Sequence, residues 1–245
     1  MPHTDASTDT GAGPTPQLGG NVEDTLDLRL PEELLALFQE DEQSGDLEDG
    51  DTTETSDLLD NPAGWGSANT SAGAFHLAPV RIERDLARIS RWMNDPAVAA
   101  FWGLAGPDSV TAAHLRAQLD GDGRSIPCLG VLSGIPMSYF EVYRADLDPV
   151  ARHYPARPHD IGIHLLIGGV ADRGRGVGST LLRAVADLVL DNRPRCARVI
   201  AEPDLRNTPS VSAFLSAGFR FSAEVDLPDK RAALMVRDRA LRKLL

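Results

Sequence analysis

A glycine-rich turn between a strand pattern and a helix pattern constrains the fold of this chain more than any other segment. The turn covers residues 172–179 and reads D-R-G-R-G-V-G-S. Residues 160–167 before it form an apolar strand pattern, and residues 177–189 carry one apolar stripe at helical spacing. A helix N-terminus presents free N–H groups and the positive end of the helix dipole. The strand–turn–helix unit therefore predicts a binding site for a pyrophosphate.

The residue types within the turn support this prediction. Gly174, Gly176 and Gly178 allow the backbone to approach a ligand closely, and two arginines supply charge that can pair with phosphate. The spacing is R-x-x-G-x-G, which differs from the dinucleotide-binding G-x-G-x-x-G and from the P-loop G-x-x-x-x-G-K. The predicted cofactor-binding set is Arg173, Gly174, Arg175, Gly176, Val177, Gly178 and Ser179.

The turn resembles the coenzyme A loop of the GNAT N-acyltransferase superfamily, and the order of predicted elements fits that family. The order is a strand, two helices, three strands, a helix, a strand, a helix and two strands. The predicted strands cover residues 75–81, 125–132, 136–144, 160–167, 198–203, 219–225 and 232–236, and the helices cover 83–94, 110–119, a segment that begins near 176, and 208–217. Asp108 or Ser109 is the predicted N-cap of the second helix.

The resemblance implies an α/β (α+β) fold of the GNAT type, with a mixed central sheet of about seven strands and flanking helices. It also implies acyl-CoA, either acetyl-CoA or a longer form, as the co-substrate, and no metal.

The first 74 residues differ in composition from the rest of the chain. They contain 17 acidic residues and one basic residue, Arg29, whereas the remainder is mildly basic. Low hydrophobicity with high charge predicts a disordered acidic extension over residues 1–74 and a folded domain over residues 75–245. Residues 26–38 form a short amphipathic helix pattern with Pro31 at its start. This segment is either a transient helix or a docking segment for a partner or for the domain's own surface.

Composition also limits the class of protein. The two cysteines, Cys128 and Cys196, fall in or beside apolar strands and predict buried free thiols rather than a disulfide framework. The beginning of the sequence has no apolar leader pattern, and no apolar run is long enough for a membrane helix. The basic residues form no stripe that suits nucleic acid. We therefore expect a cytoplasmic protein that binds neither membranes nor nucleic acid.

Five further segments carry a narrower resemblance, to the GNAT branch that acylates amines in siderophore biosynthesis, of the aerobactin and mycobactin type. They are F-W at 101–102, P-M-S-Y-F-E-V-Y at 136–143, D-I-G-I-H-L-L-I-G at 160–168, A-E-P-D-L-R-N at 201–207 and L-P-D-K at 227–230. The resemblance implies acyl transfer to the terminal amine, or N-hydroxyamine, of lysine or a related diamine during hydroxamate siderophore assembly. It also implies that His164 and Asp204 act as the catalytic pair.

The strand pattern around His164 agrees with that role. Side chains alternate along a strand, so Gly162 and His164 share the face opposite to an apolar face. In the expected mechanism, His164 accepts the proton of the nucleophile, and Asp204 orients His164 or holds the amine. The alternatives are a structural histidine and, for Asp204, an ordinary turn or cap residue.

The neighbouring strand supplies the predicted amine pocket. Tyr139, Glu141 and Tyr143 share one face, and with Trp102 they are the predicted substrate-binding residues. The alternative is a solvated face with aromatic packing. Many GNAT proteins carry a tyrosine where this chain has Phe214, so a side-chain hydroxyl for the departing thiol is missing there. We expect Phe214 to pack with Val211 and Leu215.

Two other functions are compatible with the sequence. One is a GNAT N-acetyltransferase that acts on an antibiotic, another small amine or a protein N-terminus. The other is a non-catalytic acyl-CoA-binding or scaffold protein. In the siderophore interpretation, the acidic extension is a candidate contact for a pathway protein. The acyl length, the choice between lysine and diamine, and the stage of N-hydroxylation stay open.

Overall fold

The structure is a computed structural model that describes residue 59 and residues 61–242. The predicted helix at 26–38 and most of the predicted acidic extension lie outside the described residues. Within the described range, the predicted mixed α/β fold is confirmed, and most predicted elements begin and end within two residues of the observed ones.

Eight strands form one sheet in the order β1-β2-β3-β4-β5-β6-β8-β7. Neighbouring strands are antiparallel except β5 and β6, which are parallel. The strands are β1 Ser67–Thr70, β2 Gly73–Pro79, β3 Ser125–Leu132, β4 Ile135–Arg144, β5 Ile161–Ile167, β6 Arg198–Ala201, β7 Arg220–Asp226 and β8 Arg231–Asp238.

The predicted boundary between residues 74 and 75 is too late. Strand β1 and the first two residues of β2 precede Phe75, and Trp65 is buried before them. The sequence of β1, S-A-N-T, has no apolar alternation, so its position depends on antiparallel pairing with β2. The folded domain therefore begins before residue 67, and its sheet has one strand more than the seven predicted.

Five α-helices lie in the described part of the chain: α1 Ile82–Met93, α2 Pro96–Trp102, α3 Asp108–Leu119, α4 Val177–Asn192 and α5 Thr208–Ser216. The sequence analysis did not predict α2. The Asp95 side chain caps it, Pro96 is its first residue, and Gly103 ends it in the left-handed conformation. The predicted capping of α3 is wrong because its N-cap is Pro107, and the Asp108 carboxylate accepts a hydrogen bond from Ser90 instead.

The helices cover both faces of the sheet and make two cores. Helix α4 buries residues such as Leu181 and Val185 against one face. Helices α1 to α3 pack on the other face, where Trp92 and Leu115 meet Tyr139. Both cysteines are free and buried, as predicted, and burial raises the pKa of Cys128 to about 12 and that of Cys196 to about 11. Among the described helices, none has the length and apolar character needed to cross a membrane.

The junction between β5 and β6 positions the site. Only Ile161 with Val199 and Gly162 with Ile200 pair across it, so the strands separate beyond Gly162. A buried ion pair between Asp160 and Arg198 lies immediately before these pairs. The gap between the carboxyl ends of two parallel strands is a common place for a ligand in an open α/β sheet.

Candidate active site

The glycine turn forms one wall of a cavity of about 690 Å³. Gly174 and Gly176 have φ values of +70° and +78°, a conformation that glycine adopts without steric cost. Gly176 is the N-cap of α4, and Gly178 lies in its first turn beside the cavity. Helix α2, strand β5 and helix α5 line the other walls. The turn therefore presents backbone to this cavity, which agrees with the predicted cofactor site.

Arg173 does not present its guanidinium to the cleft as a free charge. Its Nε donates to the carbonyl of Ile167 (2.9 Å), and its Nη2 donates to that of Gly168 (3.0 Å). Its Nη1 donates to the carboxylate of Asp95 at the N-terminus of α2 (2.8 Å). The structure thus gives Arg173 a positioning role, and its pairing with phosphate stays a prediction. Arg173 nevertheless lines this cavity, and Arg175 is exposed without lining it.

A second cavity of about 240 Å³ adjoins the first at the end of α2 and opens where β5 and β6 separate. His164 on β5 lies between two carboxylates there. Its Nδ1 lies 2.9 Å from Oε2 of Glu141, and its Nε2 lies 2.5 Å from Oε1 of Glu202. An ionised carboxylate only accepts hydrogen bonds, so both ring nitrogens carry a proton in this arrangement.

The electrostatic surroundings of His164 agree with a charged ring. Burial lowers the pKa of His164, but the charge of Glu202 and the hydrogen bonds that the ring donates to both carboxylates outweigh burial and raise the pKa to about 10. An imidazolium has no lone pair with which to accept a proton. The predicted role of His164 as proton acceptor therefore requires that one of the two carboxylate contacts first opens.

Glu141 is held in place by residues on β4 and α3. Its Oε1 accepts hydrogen bonds from the Tyr139 hydroxyl (2.9 Å), from Nε2 of His114 (2.5 Å) and from Nε2 of Gln118 (2.8 Å). Burial raises the pKa of Glu141, but the hydrogen bonds from His114 and His164 outweigh it, and the pKa stays well below its usual range. Glu141 is therefore ionised at neutral pH. The sequence assigned it to substrate binding and did not predict its contact with His164.

Glu202 was not among the predicted site residues. It is buried at the end of β6, and its Oε2 accepts a hydrogen bond from the hydroxyl of Tyr143 (2.7 Å). Burial raises its pKa, but the charge of His164 lowers it to about 2. The ring of Tyr143 reaches Glu202 across Gly162, where an added Cβ would lie 2.0 Å from the ring. The signal available in the sequence was strand alternation, because Glu202 lies two residues before Asp204 and shares a strand face with it.

Asp204 lines the same cavity but does not pair with His164. Its carboxylate accepts hydrogen bonds from Nε, Nη2 and the backbone N–H of Arg206, and the side-chain bond to Arg206 lowers its pKa. Asp204 also forms an isolated antiparallel β-bridge with Ala232 on β8, and this bridge fixes the position of the Asp204 backbone. Of the two predicted roles of Asp204, the orientation of His164 is therefore without a contact, because Glu202 lies beside Nε2 of the ring. The other role, holding the amine, stays a prediction.

The aromatic residues of the site lie in different positions relative to the two cavities. Trp102 lines both cavities and lies edge-on to His164, with ring centroids 6.1 Å apart. Tyr139 and Tyr143 are buried behind the glutamates and orient them instead of lining the pocket. Phe214 packs against Phe219 at the wall of the smaller cavity. Phe214 is buried, but Leu215, its predicted packing partner, is half exposed and lies outside the core.

The two cavities share part of their lining, which includes Trp102, Leu165 and Ser210. A ligand on the glycine turn and a second ligand beside His164 would therefore meet at this common wall. Within residues 61–242, no group of three or more His, Cys, Asp or Glu side chains is placed to hold a metal ion.

Residues 81–227 match the model of a protein family described as an acetyltransferase (GNAT) domain. The chain belongs to the GNAT family. Its enzymatic class is that of an acyl-CoA-dependent acyltransferase. We propose that the larger cavity is the acyl-CoA cleft and the smaller one the acceptor cavity, and the two cavities carry these names below. The predicted family, fold and co-substrate are confirmed.

This GNAT protein is similar in sequence to two enzymes that acylate lysine or N(6)-hydroxylysine, as their names state. The lysine N-acyltransferase MbtK of Mycolicibacterium paratuberculosis is 38% identical over 168 residues, which are 66% of this chain and 76% of that protein. The N(6)-hydroxylysine O-acetyltransferase of Escherichia coli is 37% identical over 155 residues, which are 63% of this chain but 49% of that protein.

A solved structure is similar in fold. The aminoglycoside acetyltransferase AAC(6')-Ib in complex with coenzyme A and kanamycin is 26% identical, with a TM-score of 0.62. The alignment covers 69% of the GNAT protein described here and 98% of the aminoglycoside acetyltransferase.

The contacts of the two loop arginines predict different defects. Arg173→Ala should lower both the melting temperature and the affinity for acyl-CoA, because the loop loses its link to β5 and to Asp95. Arg175→Ala should weaken acyl-CoA binding by about 1.5–3 kcal/mol, the range for a charge-assisted bond, with no change in melting temperature. Calorimetric titration with acyl-CoA and thermal melts of both variants measure this. Equal melting temperatures for the two variants would contradict the positioning role of Arg173.

Proposed function

We propose that this protein transfers an acyl group from acyl-CoA to the terminal amine, or N-hydroxyamine, of lysine or a related diamine. The observation that carries the proposal is the acidic acceptor cavity, in which Glu141 and Glu202 flank His164 beside the acyl-CoA cleft. Two ionised carboxylates and one imidazolium leave a net negative charge, and this charge favours a cationic amine. The names of the two relatives describe acylation of lysine and of N(6)-hydroxylysine, which agrees with such an acceptor.

The shared wall of the two cavities favours direct transfer. The neutral amine attacks the thioester carbonyl, the C–N bond forms, and the C–S bond breaks as the CoA thiolate leaves. The amine nitrogen loses one proton in this step. A covalent acyl-enzyme has no support in the geometry, since both cysteines are buried away from the site and burial raises the pKa of each thiol.

The carboxylates supply the route for the proton. An incoming ammonium competes with the imidazolium of His164 for the same carboxylate oxygens. When one contact opens, the released ring nitrogen can exchange its proton with solvent and later accept the proton from the amine. Asp204 is a second carboxylate at the cavity wall and can hold the amine during this exchange.

The setting follows from the same proposal. We place the reaction in hydroxamate siderophore assembly in the cytoplasm, with a pathway protein as the candidate partner of the acidic N-terminal extension. The relatives' names support the lysine and N-hydroxylysine chemistry, and the extension's charge is the reason to consider a partner.

The protonation of the acceptor predicts a pH dependence that separates the two amine types. A lysine amine has a pKa of about 10.4, so its neutral fraction rises about tenfold for each pH unit between 7 and 9. We expect kcat/KM for L-lysine to rise with the same slope. An N-hydroxyamine is largely neutral at pH 7, so kcat/KM for N6-hydroxylysine should be nearly flat and higher at neutral pH. Thiol release from a panel of acyl-CoAs, with product masses, measures both.

The panel also tests the alternatives. It includes cadaverine, putrescine, their N-hydroxy forms, an aminoglycoside and a peptide N-terminus. Acylation of the aminoglycoside or the peptide alone would assign the protein to another GNAT reaction. Thiol release with none of the acceptors would contradict the proposal and favour a non-catalytic acyl-CoA-binding role.

A further inference from the structure

Lys230 is the one lysine among the residues that the structure describes, and it lines the acceptor cavity. The chain has two lysines in all, Lys230 and Lys243, and every other residue in its total of lysine and arginine is an arginine. Lys230 is half-buried at the end of the turn between β7 and β8, where its carbonyl accepts a hydrogen bond from the N–H of Leu227. The turn fixes the point from which the side chain extends.

The ammonium of Lys230 has no ion pair among the described residues, unlike the guanidinium groups on either side of it. Arg206 pairs with Asp204, and Arg231 pairs with Glu224. Lys230 is nevertheless close enough to the site for its charge to contribute to the lowered pKa values of Glu202 and Asp204. A compact cation that faces a ligand cavity without a partner is suited to binding an anionic group of the ligand.

Asp229 adds an opposite charge next to it. Its side chain is exposed and lines the same cavity, and within the described range it forms no ion pair. The lining of the cavity therefore includes one cation and one anion at neighbouring positions of this turn, in addition to the carboxylates beside His164. A diamine offers a cation at both ends. An amino acid such as lysine offers a cation at one end and a carboxylate with an ammonium at the other.

We infer that Lys230 binds the α-carboxylate of the acceptor and that Asp229 receives its α-ammonium, so that the acceptor is a lysine-type amino acid and not a diamine. This inference rests on the proposed function and narrows its substrate class. The terminal amine then lies toward Glu141, Glu202 and the acyl-CoA cleft. These two sets of charged residues fix the direction in which the acceptor lies and hence which of its two amines is acylated.

The test compares acceptors that differ by the carboxylate alone. With acetyl-CoA or a straight-chain acyl-CoA, which has no acyl carboxylate, we expect kcat/KM for L-lysine to exceed that for cadaverine at least tenfold. Lys230→Met should raise the KM for L-lysine about 10- to 100-fold, the loss expected for one charge-assisted bond, and reduce the lysine-to-cadaverine ratio toward one. Arg124→Met is the control, because Arg124 is half exposed and pairs with Asp122 outside the cavity. It should keep the wild-type ratio.

The outcomes separate the inference from the proposed function. Equal use of L-lysine and cadaverine by the wild type, with the same ratio in Lys230→Met, overturns the role of Lys230 and leaves the proposed function intact. If neither these two amines nor their N-hydroxy forms are acylated, the proposed function fails, and calorimetric titration with L-lysine in the presence of CoA still decides the role of Lys230. Binding to the wild type that is lost in Lys230→Met supports it. Equal binding to both, or binding to neither, overturns it.

Discussion

We expect Glu202→Gln to lower kcat for acyl transfer about 10²–10⁴-fold, with little change in the KM for acyl-CoA. The range is that of a positioned group in acid–base catalysis. Glutamine keeps the size of the side chain but removes its negative charge. In the wild type, the Glu202 carboxylate faces Nε2 of His164 and accepts a hydrogen bond from the Tyr143 hydroxyl. The imidazolium then has one charged partner instead of two, and the negative charge of the acceptor cavity falls by one.

The same substitution has a spectroscopic signature that a purely structural role would not produce. Glu202 contributes to the raised pKa of His164, which is about 10 in the wild type. Removing a negative charge destabilises the imidazolium, so the pKa of His164 should fall in the variant toward the ordinary value of about 6.5. The ring then becomes neutral at a lower pH. A two-dimensional NMR titration of the histidine ring signals measures this shift.

Two further variants serve as the control and the comparison for Glu202→Gln. Glu224→Gln is the matched control, because Glu224 is an exposed glutamate on β7 whose partner is Arg231. It should retain wild-type kinetics. Asp204→Asn compares the residue assigned from the sequence with the one that contacts His164. A large loss of kcat in Asp204→Asn together with a small loss in Glu202→Gln would show that the sequence-based pair is correct.

The second large effect concerns the buried ion pair at the β5–β6 junction. We expect Asp160→Ala to lower the free energy of unfolding by about 3–5 kcal/mol, the cost of leaving one buried partner uncompensated. Asp160 is fully buried, and its carboxylate accepts hydrogen bonds from Nε and Nη2 of Arg198 (2.8 and 2.7 Å). It also accepts bonds from the Tyr154 hydroxyl and the Arg157 N–H. Urea unfolding measures the change.

An exposed ion pair provides the comparison. Asp122→Ala removes the partner of Arg124 at the surface, where such pairs contribute at most about 1 kcal/mol. Asp160→Ala should also reduce turnover at temperatures where it is still folded, because the junction sets the separation of β5 and β6. If its urea midpoint equals that of Asp122→Ala, the ion pair does not stabilise the junction.

Much of the fold could be predicted because its elements have strong local patterns. The apolar stripe of α4 and the alternation in β3 to β5 predict their own structure, and Gly176 marks the start of a helix through its conformational freedom. Elements without such patterns were missed. Strand β1 is short and polar, and α2 has two turns, so its cap residues Asp95 and Gly103 were the main signal.

The candidate site was harder to predict than the fold, for a geometric reason. Alternation identifies which side chains share a face, and it brought Glu141, His164 and Glu202 to the correct faces. It does not specify which carboxylate reaches the ring, because that depends on where β6 ends and how far it lies from β5. Strand β6 ends at Ala201, one residue before Glu202, and Asp204 lies beyond it beside Arg206. The three-dimensional separation of two strands decides the pairing.

The separation of β5 from β6 also has a consequence for unwanted association. An unpaired strand edge at the border of a sheet is a template on which a foreign strand can assemble. Here β5 has an open edge from Ile163 onward, yet it lies in the middle of the sheet order, between β4 and β6. Residues 163–167 of this edge line the two cavities, so the edge faces a ligand site within the sheet and not the border where a foreign strand would add. The protein thus keeps the binding capacity of a sheet edge without the aggregation hazard that such an edge usually brings.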